Sequence, residues 1–443
     1  MRAKRDYQLP LTVDLGDHHH VEELREISQV LDKNPEILDI VHSDLVRGLR
    51  TDRGPKALSA EQVVRGAVLY QMHRWTLREA AFELQFNQAY RNFCRLRFDQ
   101  QPSKSALQRD INRIDPDSWE KINRILIGYA IAVGVEDGNA VRTDCTVMES
   151  TIHEPTDSSL LWDSVRKLTD LLDDASDIVD VSYSNHRKVA KRRALAILNA
   201  KRIKMRIPLY LDLLKATKKT IGYAQEAVAA LRMSKHLLAT YHADLIRHFI
   251  ELANQVVDQT ERRIVREESV PAEEKIVSIF EEHTDIIRKG GRDTFYGHKL
   301  CLSAGASNLI TDCLILEGNP CDSTLAIEMM ERHADMFGEC AEHAAFDGGF
   351  ASKANLDKLK EQGIENVMFH KKRGLTINDM VKDSWAYKNL RNFRAGIEGI
   401  ISFLKRAFGA GRSRRKGLRS FKAYAQSAVV SANLLTLARH ALA

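Results

Sequence analysis

The stretch RNFRAGIEGIISFLKR, residues 391–406, decides how the rest of the sequence is interpreted. Its apolar residues recur at helical spacing, which predicts a helix with one buried face. Arg394, Glu398 and Lys405 are four and then seven residues apart, so they line a neighbouring face. A lone carboxylate between cations suits a residue that holds a metal ion against a phosphate. The alternative is a surface helix with an intrahelical Arg–Glu pair.

The charge distribution favours a polyanionic partner. The 443 residues carry a formal net charge of +6. Residues 371–422 contain 15 Lys or Arg against three acids, and residues 187–206 contain nine basic residues and no acid. Because no apolar run reaches the roughly 18 residues of a membrane helix, nucleic acid is favoured over a membrane. The six cysteines form no CxxC pair and the first residues are polar, which predicts a cytoplasmic protein with free thiols.

Residues 1–58 are predicted to be a leader with one helix, Val21 to Leu31. Residues 59–133 are predicted to be a helical DNA-binding domain of the helix-turn-helix type, because short helices follow one another on short turns. Polar residues mark its helix starts: Ser59 with Gln62, Thr76, and Ser105 with Gln108. Basic residues are expected on the outer sides: Arg74, Arg78, Arg91, Arg95, Arg97, Lys104 and Arg109. The alternative is a plain helical bundle with a solvated basic face.

The remaining sequence predicts a mixed α/β sheet, because strand patterns are followed by alternating helices and strands. Strand patterns occupy five segments: 139–148, 294–302, 309–316, 343–347 and 367–369. Residues 158–282 form a long helical block, interrupted by Pro208 and Pro271, between the first and second strands. The catalytic core is therefore predicted to consist of residues 134–157 and 283–422. A separate apolar helix covers residues 423–443.

Three acids lie where α/β sheets build their sites. Asp144 is inside the first strand, Asp347 ends the fourth strand, and Glu398 is on the late helix. Carboxylates that converge repel one another unless a cation neutralises them, and oxygen ligands of this kind suit Mg²⁺ or Mn²⁺. Two such ions could act on the attacking and leaving oxygens of phosphoryl transfer. Taken singly, each acid could equally be a turn, cap or strand-edge residue.

These residues resemble the acidic triad of bacterial insertion-sequence transposases of the DDE type, which have a ribonuclease-H-like core. Asp144, Asp347 and Glu398 look like that triad. Arg394, Glu398 and Lys405 match the Arg-x3-Glu-x6-Lys part of the Tyr-Arg-Glu-Lys signature of one large superfamily. The resemblance implies that the three acids hold two Mg²⁺ or Mn²⁺ ions and that Arg394 and Lys405 contact flanking phosphates.

Further segments carry the resemblance over about residues 60–440. Residues 143–153 with 155–162 are similar to the region around the first aspartate in ISNCY-like members, and residues 346–350 look like the second-aspartate motif. Arg391 stands where the signature usually has its tyrosine, which is a departure from the family pattern. The helical block matches only vaguely.

The resemblance implies a nucleoid-associated transposase. Such a protein would bind terminal inverted repeats through residues 1–115, cut the element ends and join the 3′-hydroxyl to target DNA. A homodimer or higher homo-oligomer would hold both ends. The residues expected to contact DNA are Arg391, Arg394, Lys405, His298, Lys299, Arg412, Arg414 and Arg415. The additional candidates near the site are Glu149, His153 and Asp157.

Two other functions are compatible with the same sequence. A catalytically inert or domesticated DNA-binding protein would keep both basic segments and bind DNA with a steep salt dependence. A structure-selective nuclease would keep the core but lack the joining step. The sequence leaves open the repeat sequence, the target preference and the fate of the second strand.

Overall fold

The computed structural model describes residues 2–6, 18–49, 57–289, 293–370 and 373–443. The helices in these ranges are α1 His19–Lys33, α2 Glu36–Val46, α3 Ala60–Met72, α4 Leu77–Phe86, α5 Gln88–Phe93, α6 Lys104–Ile111, α7 Pro116–Ala132, α8 Asp157–Ser176, α9 Arg187–Asn199, α10 Ile203–Met233, α11 Ala239–Thr260, α12 Ala326–Phe337, α13 Lys353–Glu361, α14 Ile377–Met380, α15 Ser384–Phe408 and α16 Leu418–Leu442. The strands are β1 Ala140–Glu149, β2 Asp285–Lys289, β3 Asp293–Ala304, β4 Ile310–Ile315, β5 His343–Phe346 and β6 Asn366–Phe369.

The chain divides into two compact units. The first unit consists of Met1–Ser150 and His298–Ala443, and the second unit is Thr151–Gly297. The predicted helical block, residues 158–282, lies inside the second unit as helices α8 to α11 and the turns that follow. Pro208 does not break this block, because it lies near the start of α10. No helix in the described part of the chain is long and apolar enough to cross a bilayer.

The sheet confirms the predicted mixed α/β architecture. In the first unit its strands are ordered β4-β3-β1-β5-β6. β1, β5 and β6 run parallel, whereas β3 and β4 are antiparallel neighbours. Within the second unit β2 pairs antiparallel with the start of β3. The sequence analysis did not predict β2, because five residues with charges at both ends carry little apolar alternation.

Helix α16 is the centre of one face of the first unit. It is buried along most of its length and packs against α1, α3, α7 and β4. Its many alanines and serines allow this close approach, and a helix that is apolar on nearly all sides belongs in a core. The N-terminal helices therefore share one hydrophobic core with α16 and the sheet. The other face of the sheet carries a second core, to which α12, α13 and α15 contribute.

The helix starts test the capping predictions. Ser59 and Gln62 form the predicted capping box, with both reciprocal hydrogen bonds present. Thr76 caps α4 in the same way. The prediction for Ser105 is wrong, because Ser103 caps α6 by accepting from the peptide nitrogen of Ala106 at 3.2 Å. Helix α2 was not predicted, since no side chain caps its start.

Much of the basic surface predicted for residues 59–133 is used inside the protein. Arg91 is buried and donates to five backbone carbonyls. Arg95 and Arg97 each pair with two carboxylates. Arg78 and Lys104, by contrast, are exposed. Counting cations along the chain overstated the charge that this region presents to solvent.

A buried amide network fastens α16 to the sheet. Asn433 donates to the carbonyl of Ile310 at 2.8 Å and accepts from its peptide nitrogen at 2.9 Å. The same amide group donates to the side-chain oxygen of Asn123 on α7 at 2.7 Å. Because all three groups lie away from solvent, each depends on the others for its hydrogen bonds.

Replacing Asn433 by alanine is expected to lower the free energy of unfolding by about 2–4 kcal/mol, because two buried polar groups lose a partner. Thr436→Ala on the same helix is the matched control. Its hydroxyl donates only to the carbonyl of Ala432, so its loss is expected to cost less than about 0.5 kcal/mol. Urea unfolding followed by circular dichroism measures both. Equal costs for the two variants would show that the network does not anchor α16.

Candidate active site

Strand pairing brings two of the predicted acids together. β1 and β5 run parallel, with Thr143 opposite Phe346. Asp144 follows Thr143 within β1, and Asp347 follows Phe346 directly after the end of β5, so the two aspartates lie side by side. Helix α15, which carries Glu398, packs against both strands. All three acids belong to the first unit.

The guanidinium of Arg394 lies among the three carboxylates. Its Nη2 atom is 2.8 Å from Oδ2 of Asp144 and 3.3 Å from Oδ1 of Asp347. Its Nη1 atom is 2.9 Å from Oε1 of Glu398, one helical turn further along α15. The intrahelical Arg–Glu pair is therefore present, but the same guanidinium also contacts the two aspartates. The structure thus brings together the three acids that the sequence analysis singled out.

Exposure increases across the triad. The side chain of Asp144 is 15% exposed, that of Asp347 is 38% exposed and that of Glu398 is 68% exposed. The Arg394 side chain is only 10% exposed. A ligand would therefore reach the site from the side of Glu398, and Asp144 forms its floor.

The donor set fits a hard divalent cation. Three carboxylates and one guanidinium leave a formal charge of −2, and carboxylate oxygens are the ligands that Mg²⁺ and Mn²⁺ prefer. In the described ranges, no three His, Cys, Asp or Glu side chains are grouped closely enough to hold a metal ion as they stand. The guanidinium lies between the acids instead, so metal binding would require the site to rearrange.

Arg142 and Gly396 set the distance between α15 and β1. Arg142 is two residues before Asp144, so both side chains leave the same face of β1. Arg142 is buried, and its Nη1 atom donates to the backbone carbonyl of Phe393 at 2.9 Å. Its guanidinium also lies over the aromatic ring of Phe393. Its Nη2 atom donates to the side-chain oxygen of Asn308. A Cβ on Gly396 would overlap Nη1 of Arg142, so an alanine at this position requires the end of the Arg142 side chain to shift.

The sequence analysis missed these two residues, although each carries a signal. A glycine in the middle of a helix costs stability relative to alanine, so Gly396 implies a close contact. An arginine inside a buried strand needs partners for its guanidinium. Burial also lowers the pKa of Arg142 from its ordinary value.

The other residues predicted to bind DNA differ in their exposure. Arg391 is exposed on α15, and Lys405 is half-buried near the end of the same helix. His298, which was expected to contact DNA, is buried with its ring centroid 4.9 Å from that of Phe421. Lys299 donates to the carbonyl of Pro320 at 2.6 Å and to Asp322 at 3.0 Å. The burial of His298 does not support its assignment to a DNA surface.

The basic segment after α15 is partly structural. Arg412 is 3.3 Å from a carboxylate oxygen of Glu149, and Arg414 donates to the carbonyl of Arg74. Arg415 is buried between two tyrosine rings, those of Tyr70 and Tyr424. The expectation that Arg415 contacts DNA therefore conflicts with its burial.

The additional candidates have structural partners. Glu149 pairs with Arg412 in the first unit. In the second unit His153 lies 3.5 Å from Asp163, and Asp157 is buried with Arg263 Nη1 2.9 Å from its carboxylate.

Cys145 is a buried residue rather than a nucleophile. A hydrogen bond with Cys301, together with burial, raises the pKa of its thiol. A thiol that stays protonated is a poor nucleophile.

Gly396→Ala is expected to lower the free energy of unfolding by about 1–3 kcal/mol, because the added methyl overlaps the guanidinium of Arg142. Gly399→Ala is the matched control. Outside its own helix backbone and its two neighbours, no described atom lies within 4 Å of its added Cβ, so helix propensity should raise stability by about 0.5–1 kcal/mol. Urea unfolding measures both variants. The contact with Arg142 would be refuted if Gly396→Ala cost as much in an Arg142→Ala background as in the wild-type protein.

Comparison with known proteins gives a family match over part of the chain. A family model described as "Transposase DDE domain" matches residues 255–434. The matched range spans Asp347, Arg394 and Glu398 and begins after Asp144. The match assigns a role to none of these residues, so all four are grouped by geometry alone. No curated protein and no solved structure shows a significant match, and the finer ISNCY-like assignment stays a prediction. Residues 255–434 are therefore similar to the DDE domain of transposases.

Proposed function

We propose that this protein is a transposase that binds the terminal inverted repeats of its insertion sequence, cleaves the DNA ends and joins the 3′-hydroxyl to target DNA. The observation that carries the proposal is the convergence of Asp144, Asp347 and Glu398 on one guanidinium. Surface acids with unrelated roles have no reason to meet at one point from two strands and a helix.

Asp144, Asp347 and Glu398 would hold two Mg²⁺ or Mn²⁺ ions. Such ions, when bound, activate the attacking oxygen and stabilise the leaving oxygen of an in-line displacement. The protein contributes the fixed positions of its oxygens. Asp144 and Asp347 are held by paired strands, and the place of Glu398 depends on how α15 packs against β1.

Helix α15 would also bind the DNA backbone near the reacting phosphate. Arg391 is exposed one turn before Arg394, and Lys405 follows Glu398 by two turns. Cations on the same helix as an acidic ligand can contact the phosphates on either side of the bond that is cut. Arg394 could join them once it leaves the carboxylates.

DNA contacts away from the site would come from residues 59–133 and from the second unit. Six cations of residues 187–206 are exposed and make no ion pair with described residues: Lys188, Lys191, Arg192, Lys201, Arg202 and Lys204. The other three are engaged, since Arg187 and Arg193 pair with aspartates and Arg206 donates to a carbonyl. Exposed cations without partners are typical of a surface that binds phosphates. Two copies of the chain would hold the two element ends.

Asp347→Asn is expected to reduce Mg²⁺-dependent nicking of DNA that carries the element's own ends by about 10³-fold or more, because a metal ligand loses its charge. Binding of the same DNA should remain, since the proposed DNA contacts away from the site do not involve Asp347. Asp357→Asn on α13, an exposed acid outside the site, should nick at the wild-type rate. Gel assays with labelled ends measure both steps.

The same assay separates the alternatives. Sequence-specific binding without any metal-dependent cleavage would favour an inert DNA-binding protein. Cleavage without joining of the 3′-hydroxyl to a target duplex would favour a structure-selective nuclease. Nicking by Asp347→Asn at the wild-type rate would refute the proposed site.

The double variant Lys201→Gln/Arg202→Gln is expected to weaken binding to random duplex DNA. The slope of log affinity against log salt should fall by about 0.9 for each phosphate that the protein no longer neutralises. The control is Arg232→Gln/Lys235→Gln, which removes two exposed cations from another part of the second unit. Fluorescence anisotropy over a salt series measures the slopes. Identical slopes for the two double variants would exclude a specific role for this surface.

A further inference from the structure

Arg394 occupies the place where the proposed function requires metal ions. One of its terminal nitrogens contacts Asp144 and Asp347, and the other contacts Glu398. Because both carboxylates contact the same nitrogen, the oxygens of Asp144 and Asp347 lie close together. A cation shared by the three acids would lie in the space that the guanidinium now fills.

Charge makes simultaneous occupancy unfavourable. The three carboxylates carry −3, so the guanidinium leaves −2 and one divalent ion brings the site to neutrality. A second divalent ion would raise the charge to +2 with Arg394 in place, but only to +1 without it. Like charges at contact distance in a partly buried site repel strongly. Two ions and the guanidinium therefore cannot share these oxygens at low cost.

The hydrogen-bonding capacity of the Arg394 guanidinium is also not fully used. Its Nε atom is buried and has no hydrogen-bond partner among the described residues. The two terminal nitrogens make all of its contacts with the acids. The three carboxylates stabilise this position of the guanidinium by their charge, and another cation that neutralises them removes that stabilisation.

We propose that Arg394 is an internal cation that competes with divalent metal ions for Asp144, Asp347 and Glu398. The inference rests on the proposed function, since it concerns the same three acids. Without metal, the guanidinium keeps the acids together and prevents their mutual repulsion. Metal binding displaces it, and the freed guanidinium becomes available to a DNA phosphate. The site therefore assembles before metal arrives, and metal affinity is lowered until the guanidinium has an alternative partner.

The test is the affinity for Mn²⁺ without DNA, measured by electron paramagnetic resonance of free Mn²⁺. Arg394→Gln is expected to bind Mn²⁺ at least tenfold more tightly than the wild-type protein. Arg391→Gln removes an exposed cation one turn earlier on the same helix and should change the affinity less than twofold. Asp347→Asn in the Arg394→Gln background should remove the tight binding, which assigns the ion to this site.

Thermal melting provides a second measurement. Arg394→Gln should melt below the wild-type protein in EDTA, because the acids repel one another, and should gain more from saturating Mn²⁺. Arg394→Lys keeps the charge but cannot bridge three acids, so its Mn²⁺ affinity should lie between those of the wild-type protein and Arg394→Gln. This variant replaces Arg394→Gln in the test if Arg394→Gln does not fold.

The outcomes separate this inference from the proposed function. Mn²⁺ binding that depends on Asp347 but is equal or weaker in Arg394→Gln and Arg394→Lys would overturn the competition and leave the metal site standing. Absence of Asp347-dependent Mn²⁺ binding in every variant would overturn both. If Arg391→Gln raised the Mn²⁺ affinity as much as Arg394→Gln, the competition would be overturned. The effect would then come from the loss of any positive charge on α15 and not from the contact of Arg394 with the acids.

Discussion

The ion pairs between Arg394 and three carboxylates are the interaction on which the site depends. They join β1, the residue after β5, and α15, which are distant in sequence and adjacent only in the folded first unit. Without a cation the acids would repel one another, so a structure free of metal needs a positive group at this place. The guanidinium satisfies that need and still leaves the site with a formal charge of −2, which favours the binding of divalent ions.

Two arginines connect the same strand and helix in opposite directions. Arg142 extends from β1 to the backbone of α15, and Arg394 extends from α15 back to Asp144 on β1. The first contact is a hydrogen bond of the buried Arg142 to a backbone carbonyl, and it does not involve the acids. The second depends on charge, so it can be exchanged for another cation. The acids can therefore exchange Arg394 for another cation while the Arg142 contact keeps α15 against β1.

The sequence predicted the acids and the sheet better than it predicted the surface. Asp347 could be placed because it ends a strand of the sheet, Asp144 because it lies inside the first strand, and Glu398 because helical spacing aligned it with Arg394. Burial of charged residues could not be predicted in the same way. Arg91 and Arg415 were expected to face DNA, yet one is bound by backbone carbonyls and the other is enclosed by tyrosines. Composition counts cations but does not show which partners tertiary packing brings to them.

The most direct measurement is a crystal structure grown with Mn²⁺, with anomalous scattering recorded at the manganese edge. The account predicts anomalous peaks within coordination distance, about 2.0–2.3 Å, of oxygens from Asp144, Asp347 and Glu398, with the Arg394 guanidinium withdrawn from all three. Manganese bound elsewhere, with the guanidinium still among the carboxylates at saturating Mn²⁺, would contradict it.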